Sequence, residues 1–323
     1  MVLESDSGWV YTVAFHPDGM HVFGGMQDGI RRCRVADGQE VGKQTGMDMN
    51  AISVSRDRKW IMCGTTKGTS VWDAELQRKV VEVEDTSYME AVDISPESTR
   101  FATATGKNDR TASIWSITTG ERLVGPLKHD STIKGIRFSP DGGRIATACR
   151  DSIQIFDSYN GDQLITIDNP IPDLFQITPI IWPSDRRLFA ISEGNKIKSF
   201  DTSIGSKLAE WKIHSHDRDS SNATSIVLSA NNKFIASSAG RSVSFWDTST
   251  HTQLGSVLED VDEILSIALS PDGTHLATGG YSNTITIWNL SDILPESYLA
   301  ITVSTTFAML GRPITFIYQS TFP

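Results

Sequence analysis

The chain has 323 residues, 39% of them hydrophobic and 8% aromatic, and a formal net charge of −10. That balance argues against a nucleic-acid partner, because phosphate binding needs a concentrated basic surface and none is visible. No uncharged apolar run reaches the roughly 18 residues of a membrane span, and MVLESDSG opens with acids rather than a signal-peptide core, so a soluble, cytoplasmic chain is expected, with a nuclear location left open.

Taken in order, the segments alternate apolar and polar residues and are rich in Val, Ile, Thr and Phe, which predicts short strands rather than helices. Val2-Leu3-Glu4 offers one short strand, and Trp9 to Phe15 offers the next. A turn follows at HPDG (Asp18), and equivalent turns recur at Asp57, Glu97, Asp141, Asp185, Asn231 and Asp272. Successive spacings are 39, 40, 44, 44, 46 and 41 residues. A period in the low forties with several strands per unit is the pattern of a propeller blade. The third unit is the clearest. Val92 to Gly106 reads strand, Ser-Pro turn, strand, and Asp109 to Gly120 reads turn, strand, turn. The fifth unit carries Pro179 and Pro183 where a strand needs ladder donors, yet LFAIS and KIKSFD keep its second and third strands.

Strands three end in SVWD (Trp72), SIWS (Trp115), QIFD (Phe156), KSFD (Phe200), SFWD (Trp246) and TIWN (Trp288), while the first unit has Cys33 there. These residues make the chain resemble the WD-repeat β-propeller family over seven units, Met1 to about Leu290, with connectors and a DILPESYL ending similar to fungal members. The resemblance implies an all-β, seven-bladed propeller of four-stranded antiparallel blades over residues 1–290. The apolar segment 291–323, whose last charge is Arg312, falls outside the repeat. It also implies that the N-terminal strand closes the ring on Thr284–Trp288, so that no blade edge stays unpaired. For the segment after Leu290, three roles stand open: the outer strand of the last blade, an extra element on the propeller's side, or a loosely ordered tail.

Family members hold a buried His, Ser/Thr, Asp, Trp network. By spacing, its histidine slots here hold Asp6, Thr45, Asp85, His129, Asp173, Asp219 and Asp260, and no unit has all four residues. The third supplies Thr103, Asp109 and Trp115; the fourth supplies His129, with Asp151 within a one-residue slip. The resemblance also places the residues entering each first strand on the top face around the channel. There Trp9, Tyr11, Asp48, Tyr88, Glu90 and Glu263 fall on neighbouring units, and aromatic rings beside acids suit a partner's Lys or Arg.

Catalytic patterns are absent. Gly106-Lys107-Asn108 lacks the first glycine of a phosphate loop, and neither H-E-x-x-H nor G-x-S-x-G occurs. Residues Glu75 and Ser249 stand where the W-D-x-R of cullin-adaptor propellers would place arginine. His214 and His216 have no third metal ligand in the pattern, and Cys33, Cys63 and Cys149 read as buried, reduced thiols. The expectation is a non-catalytic scaffold without cofactor or metal that binds other proteins, with a basic peptide segment as one form of partner. The alternative is an effector-sensing module related to propellers of fungal signalling NTPases, its ATPase on another chain or region.

Overall fold

A computed structural model describes residues 2–4, 8–84, 88–106, 109–171, 179–213, 223–299, 307–309 and 312–314. Seven sheets of four antiparallel strands follow the seven turns. Blade I holds β2 (Val10–Phe15), β3 (His21–Met26), β4 (Gly29–Arg34) and β5 (Glu40–Thr45); blade II holds β6 (Met49–Val54), β7 (Trp60–Thr65), β8 (Gly68–Asp73) and β9 (Lys79–Glu84). Blade III holds β10 (Met89–Ile94), β11 (Arg100–Thr105), β12 (Thr111–Ser116) and β13 (Arg122–Lys128); blade IV holds β14 (Ile133–Phe138), β15 (Arg144–Cys149), β16 (Ser152–Asp157) and β17 (Gln163–Asp168). Blade V has β18 (Ile180–Ser184), β19 (Arg187–Ser192), β20 (Lys196–Asp201) and β21 (Lys207–Lys212); blade VI has β22 (Ala223–Leu228), β23 (Phe234–Ala239), β24 (Ser242–Asp247) and β25 (Gln253–Glu259). Blade VII takes β26 (Ile264–Leu269), β27 (His275–Gly280) and β28 (Thr284–Asn289) from one end of the chain and β1 (Val2–Glu4) from the other.

That exchange closes the ring. Leu3 stands opposite Ile285 and Glu4 opposite Thr284, so β28 is not left as an open edge. The innermost strands β2, β6, β10, β14, β18, β22 and β26 touch one another in sequence, and β26 returns to β2. Each second strand is pressed between two blades, which is why β11 (RFATAT) and β23 (FIASSA) are buried along their whole length and built from small residues. Ala102 and Ala104 thereby pack against Ile133 and Ile136 of the next blade. Burying each such isoleucine contributes about 1.5–3 kcal/mol. At Gly279 even a methyl would sit 2.6 Å from Val10 Cγ1, so the joint between blades VII and I needs glycine.

Blade V keeps its four strands despite its prolines. Pro183 falls where the β18–β19 register slips between Ile181 and Ser184, a place that needs no ladder donor. All three cysteines are buried free thiols on β4, β7 and β15, and burial pushes Cys63 and Cys149 up to about 12. Past β28 the chain turns back as an extra element on the side of blades VI and VII. Leu294, and Leu299 of the short helix α1 (Glu296–Leu299), join Phe245 and Leu276 in one core cluster. Asn231 and Lys233 bond the carbonyls of Tyr298 and Ser297 at 2.7 and 2.6 Å. No helix among the described residues is long and apolar enough to cross a membrane.

Candidate functional site

One irregularity repeats around the channel. The inner strands of all blades but the fifth carry a β-bulge after their first residue, skipping Tyr11, Asn50, Glu90, Lys134, Thr224 and Leu265 in the ladder. A bulge leaves its extra residue unpaired and re-aims the side chain. Five of the six, all but Thr224, line the channel mouth. Thr224 instead bonds Ser238 Oγ and the Ile264 carbonyl.

Two different groups share this rim. On blades VII and I, Trp9 is 47% exposed and stands edge-on to Tyr11 at 6.2 Å and to Tyr281 at 4.7 Å between ring centroids. The Tyr281 amide bonds the Glu263 carbonyl at 3.1 Å, which fixes the tip of the β27–β28 turn beside that acid. Burial first, then the Asp48 carboxylate and Tyr281, raise the Tyr11 phenol; burial, then Glu263 and Asp262, raise that of Tyr281. Both phenols thus stand in a field of carboxylates from blades VII and II. The second group lies on blades III and IV. Glu90 Oε2 meets Lys134 Nζ at 3.2 Å, each side chain only 8% exposed. The Glu90 carboxylate is therefore already matched by a cation of the same chain. Tyr88, half-buried, precedes the inner strand of blade III and so belongs to a different blade from Trp9. Between the two groups, buried Asn50 lines the mouth with its Nδ2 unpartnered.

Tyr281 and Asp262 are not legible as site residues, nor is the pairing of Glu90 with Lys134. Counting from the histidine slots reaches the bulge positions but gives no rule for a turn tip such as Tyr281.

The buried hydrogen-bond network is present in pieces. Trp115 Nε1 donates to Thr103 Oγ1 at 3.0 Å, while Asp109 sits exposed in the turn. His129 Nε2 meets Thr147 Oγ1 at 2.8 Å and Nδ1 meets the Leu127 carbonyl at 2.9 Å, so both ring nitrogens are taken without Asp151. Desolvation, opposed by hydrogen bonding, lowers this imidazole's pKa. In blade VII, Asp260 occupies the histidine slot and does its work: Trp288 Nε1 donates to Thr278 Oγ1 at 3.2 Å, and that hydroxyl donates to Asp260. Trp246 and Trp72 also find hydroxyls, Ser237 at 2.9 Å and Ser70 at 2.8 Å. Asp6, Asp85, Asp173, Asp219, His214 and His216 lie outside the described residues.

The model of the family described as "WD domain, G-beta repeat" matches residues 1–30, 122–157, 206–247 and 252–289. The last three segments each begin on or beside an outer strand and run through three strands of the next blade, the offset that lets β1 complete blade VII. The chain is 25% identical over 186 residues to the WD repeat-containing protein srw1 of Schizosaccharomyces pombe, covering 55% of this chain and 32% of that one. It is 22% identical over 316 residues to a guanine nucleotide-binding protein subunit beta of Arabidopsis thaliana, covering 87% and 69%. To the serine-threonine kinase receptor-associated protein of Dictyostelium discoideum it is 25% identical over 224 residues, covering 68% and 71%. The chain thus spans about a third of the yeast relative's length, and relatives from yeast, plant and slime mould do not single out fungal members. With seven four-stranded blades, an indole on four of the third strands and four matched repeats, the chain is a WD-repeat β-propeller.

Proposed function

We propose that the chain is a non-catalytic platform for other proteins and that its working surface is the rim of blades VII, I and II, which receives a Lys- or Arg-bearing segment of the partner. The observation that carries this reading is the half-exposed Trp9 ring set against Tyr11 and Tyr281, two phenols raised by burial and further by carboxylates, Asp48 acting on Tyr11, and Glu263 and Asp262 on Tyr281. A cation over such rings gains from their quadrupole, and the carboxylates add to that attraction. The unpartnered Asn50 Nδ2 offers the incoming chain a donor at the channel mouth. The propeller supplies the face already formed, so little ordering is lost on binding. Relatives named for a G-protein subunit and for a receptor-associated protein support a scaffolding role, while nothing in the comparisons favours the effector-sensing alternative.

The test is fluorescence anisotropy with labelled peptides of matched length, one set rich in Arg and Lys and one rich in Glu. Trp9→Ala and Glu263→Lys should each weaken the basic set at least tenfold while circular dichroism stays unchanged. Equal binding of both sets, or indifference to both substitutions, would move the working surface elsewhere.

A further inference from the structure

The β2–β3 turn of blade I departs from its counterparts. In blades II, IV, VI and VII a serine donates its hydroxyl to the turn residue two positions on: Ser55 to Asp57 at 2.7 Å, Ser139 to Asp141 at 2.5 Å, Ser229 to Asn231 at 2.8 Å and Ser270 to Asp272 at 2.6 Å. Blade I has His16 at that position, and a second imidazole, His21, opens β3. Both Nδ1 atoms meet one oxygen, Asp18 Oδ2, at 2.9 and 2.8 Å. The other oxygen, Oδ1, is held by the amides of Met20 at 2.7 Å and His21 at 3.2 Å. The backbone of the turn closes as elsewhere: His16 N donates to His21 O at 2.9 Å, as Ser55 N does to Trp60 O. Two imidazoles are thus not needed to make this turn.

We propose that His16 Nδ1, His21 Nδ1 and Asp18 Oδ2 form a binding site for a late first-row divalent cation, of which Zn²⁺ is the type. Imidazole nitrogen and carboxylate oxygen are the donors such ions take. The three atoms lie within 4.8 Å of one another. The two N–O separations are close to the roughly 3 Å between adjacent ligand atoms that bonds of about 2.1 Å impose. The cation would take the Nδ1 lone pairs of two neutral imidazoles, in place of the Asp18 amide that donates to His16 Nδ1 at 3.2 Å. The ligands are set in advance, since Gly19 at φ +74° and its amide bond to the His16 carbonyl fix the turn. His16 is buried and its Nε2 has no partner, so the ring's polar contacts all lie in this cluster. Asp18 and His21 are half-buried, which leaves a path for the ion and for water in its remaining positions. Arg32 Nη2 reaches His21 Nδ1 at 3.4 Å, a long hydrogen bond that the cation would displace, and its positive charge is matched by the ion pair with Glu75.

The full chain, dialysed against chelator, is titrated with ZnCl₂ by calorimetry, and Co²⁺ absorption reports the ligand field. One equivalent should bind. Asp18→Asn should weaken it at least tenfold, because the amide can still receive the Met20 and His21 amides but brings no charge. His21→Ala should do the same, and His275→Ala, at the corresponding position of blade VII, should change nothing. Circular dichroism checks each variant's fold. Absence of binding, binding that survives Asp18→Asn and His21→Ala, or binding lost only on replacing His214 and His216 would overturn the assignment.

Discussion

Glu90 and Lys134 come from adjacent blades and close on each other across the channel mouth at 3.2 Å, each side chain 8% exposed. Because both charges are withdrawn from water, removing one strands the other. Lys134→Met should therefore destabilise the fold by about 3 kcal/mol. The double variant Glu90→Gln, Lys134→Met should cost less than the sum of the two single changes. Urea denaturation of the four proteins measures the cycle, and strict additivity would mean that the pair is not coupled.

Thr278 is the relay between Trp288 and Asp260 and is fully buried. Thr278→Val keeps the side chain's shape and removes the hydroxyl, leaving an indole N–H and a carboxylate oxygen without their partner. A loss of about 1–3 kcal/mol is expected. Thr274→Val, an exchange of hydroxyl for methyl at the nearby turn, should cost less, and equal losses would show that the relay adds nothing.

Deleting residues 1–5 removes β1 and leaves Thr284, Ile285 and Thr286 of β28 without their ladder partners. At about 1 kcal/mol per hydrogen bond, a loss of roughly 2–3 kcal/mol is expected, together with concentration-dependent scattering from the exposed edge. Chemical denaturation and light scattering test both parts. An unchanged midpoint with no scattering would mean that the three pairs do not hold the ring.

Asp247 gives an acid-side prediction. Burial acts to raise its carboxyl, but the Tyr298 hydroxyl at 2.6 Å and the Thr250 and Ser249 amides outweigh this and hold it down to about 2. A folded-state value below the ordinary one of about 4 stabilises fully above that ordinary value and is lost as pH falls toward 2. The carboxylate is largely solvated, so the effect stays below about 1 kcal/mol. Tyr298→Phe should lower stability more at pH 5 than at pH 2.5, read by denaturant midpoints. An equal loss at both would assign the tyrosine a packing role alone.

Much of the propeller was legible because its signals are local. The seven turns, the aromatic strand ends and the alternation each lie within a few residues, and they placed even the proline-bearing fifth blade. Counting inward from those marks also reached Tyr11, Glu90 and Lys134, which the structure places on the bulges of the inner strands. What they meet there was not legible. By spacing alone Glu90 falls with Trp9 in one acidic arc, whereas the geometry gives Glu90 to Lys134 and gives Trp9 to Tyr281. Asp260 was seen as a departure from histidine, but only the bond from Thr278 shows that it fills the same role.

The sequence by itself determined the repeat, the strands and the inward face of each blade, because hydrophobic period and turn chemistry act between neighbours along the chain. The pairing of β1 with β28 was already expected from the resemblance and is what the structure shows; tertiary structure alone decided which side chains meet between blades, Trp9 with Tyr281 and Glu90 with Lys134. Closure brings the two ends of the chain into one blade, and no local pattern records which side chains then meet.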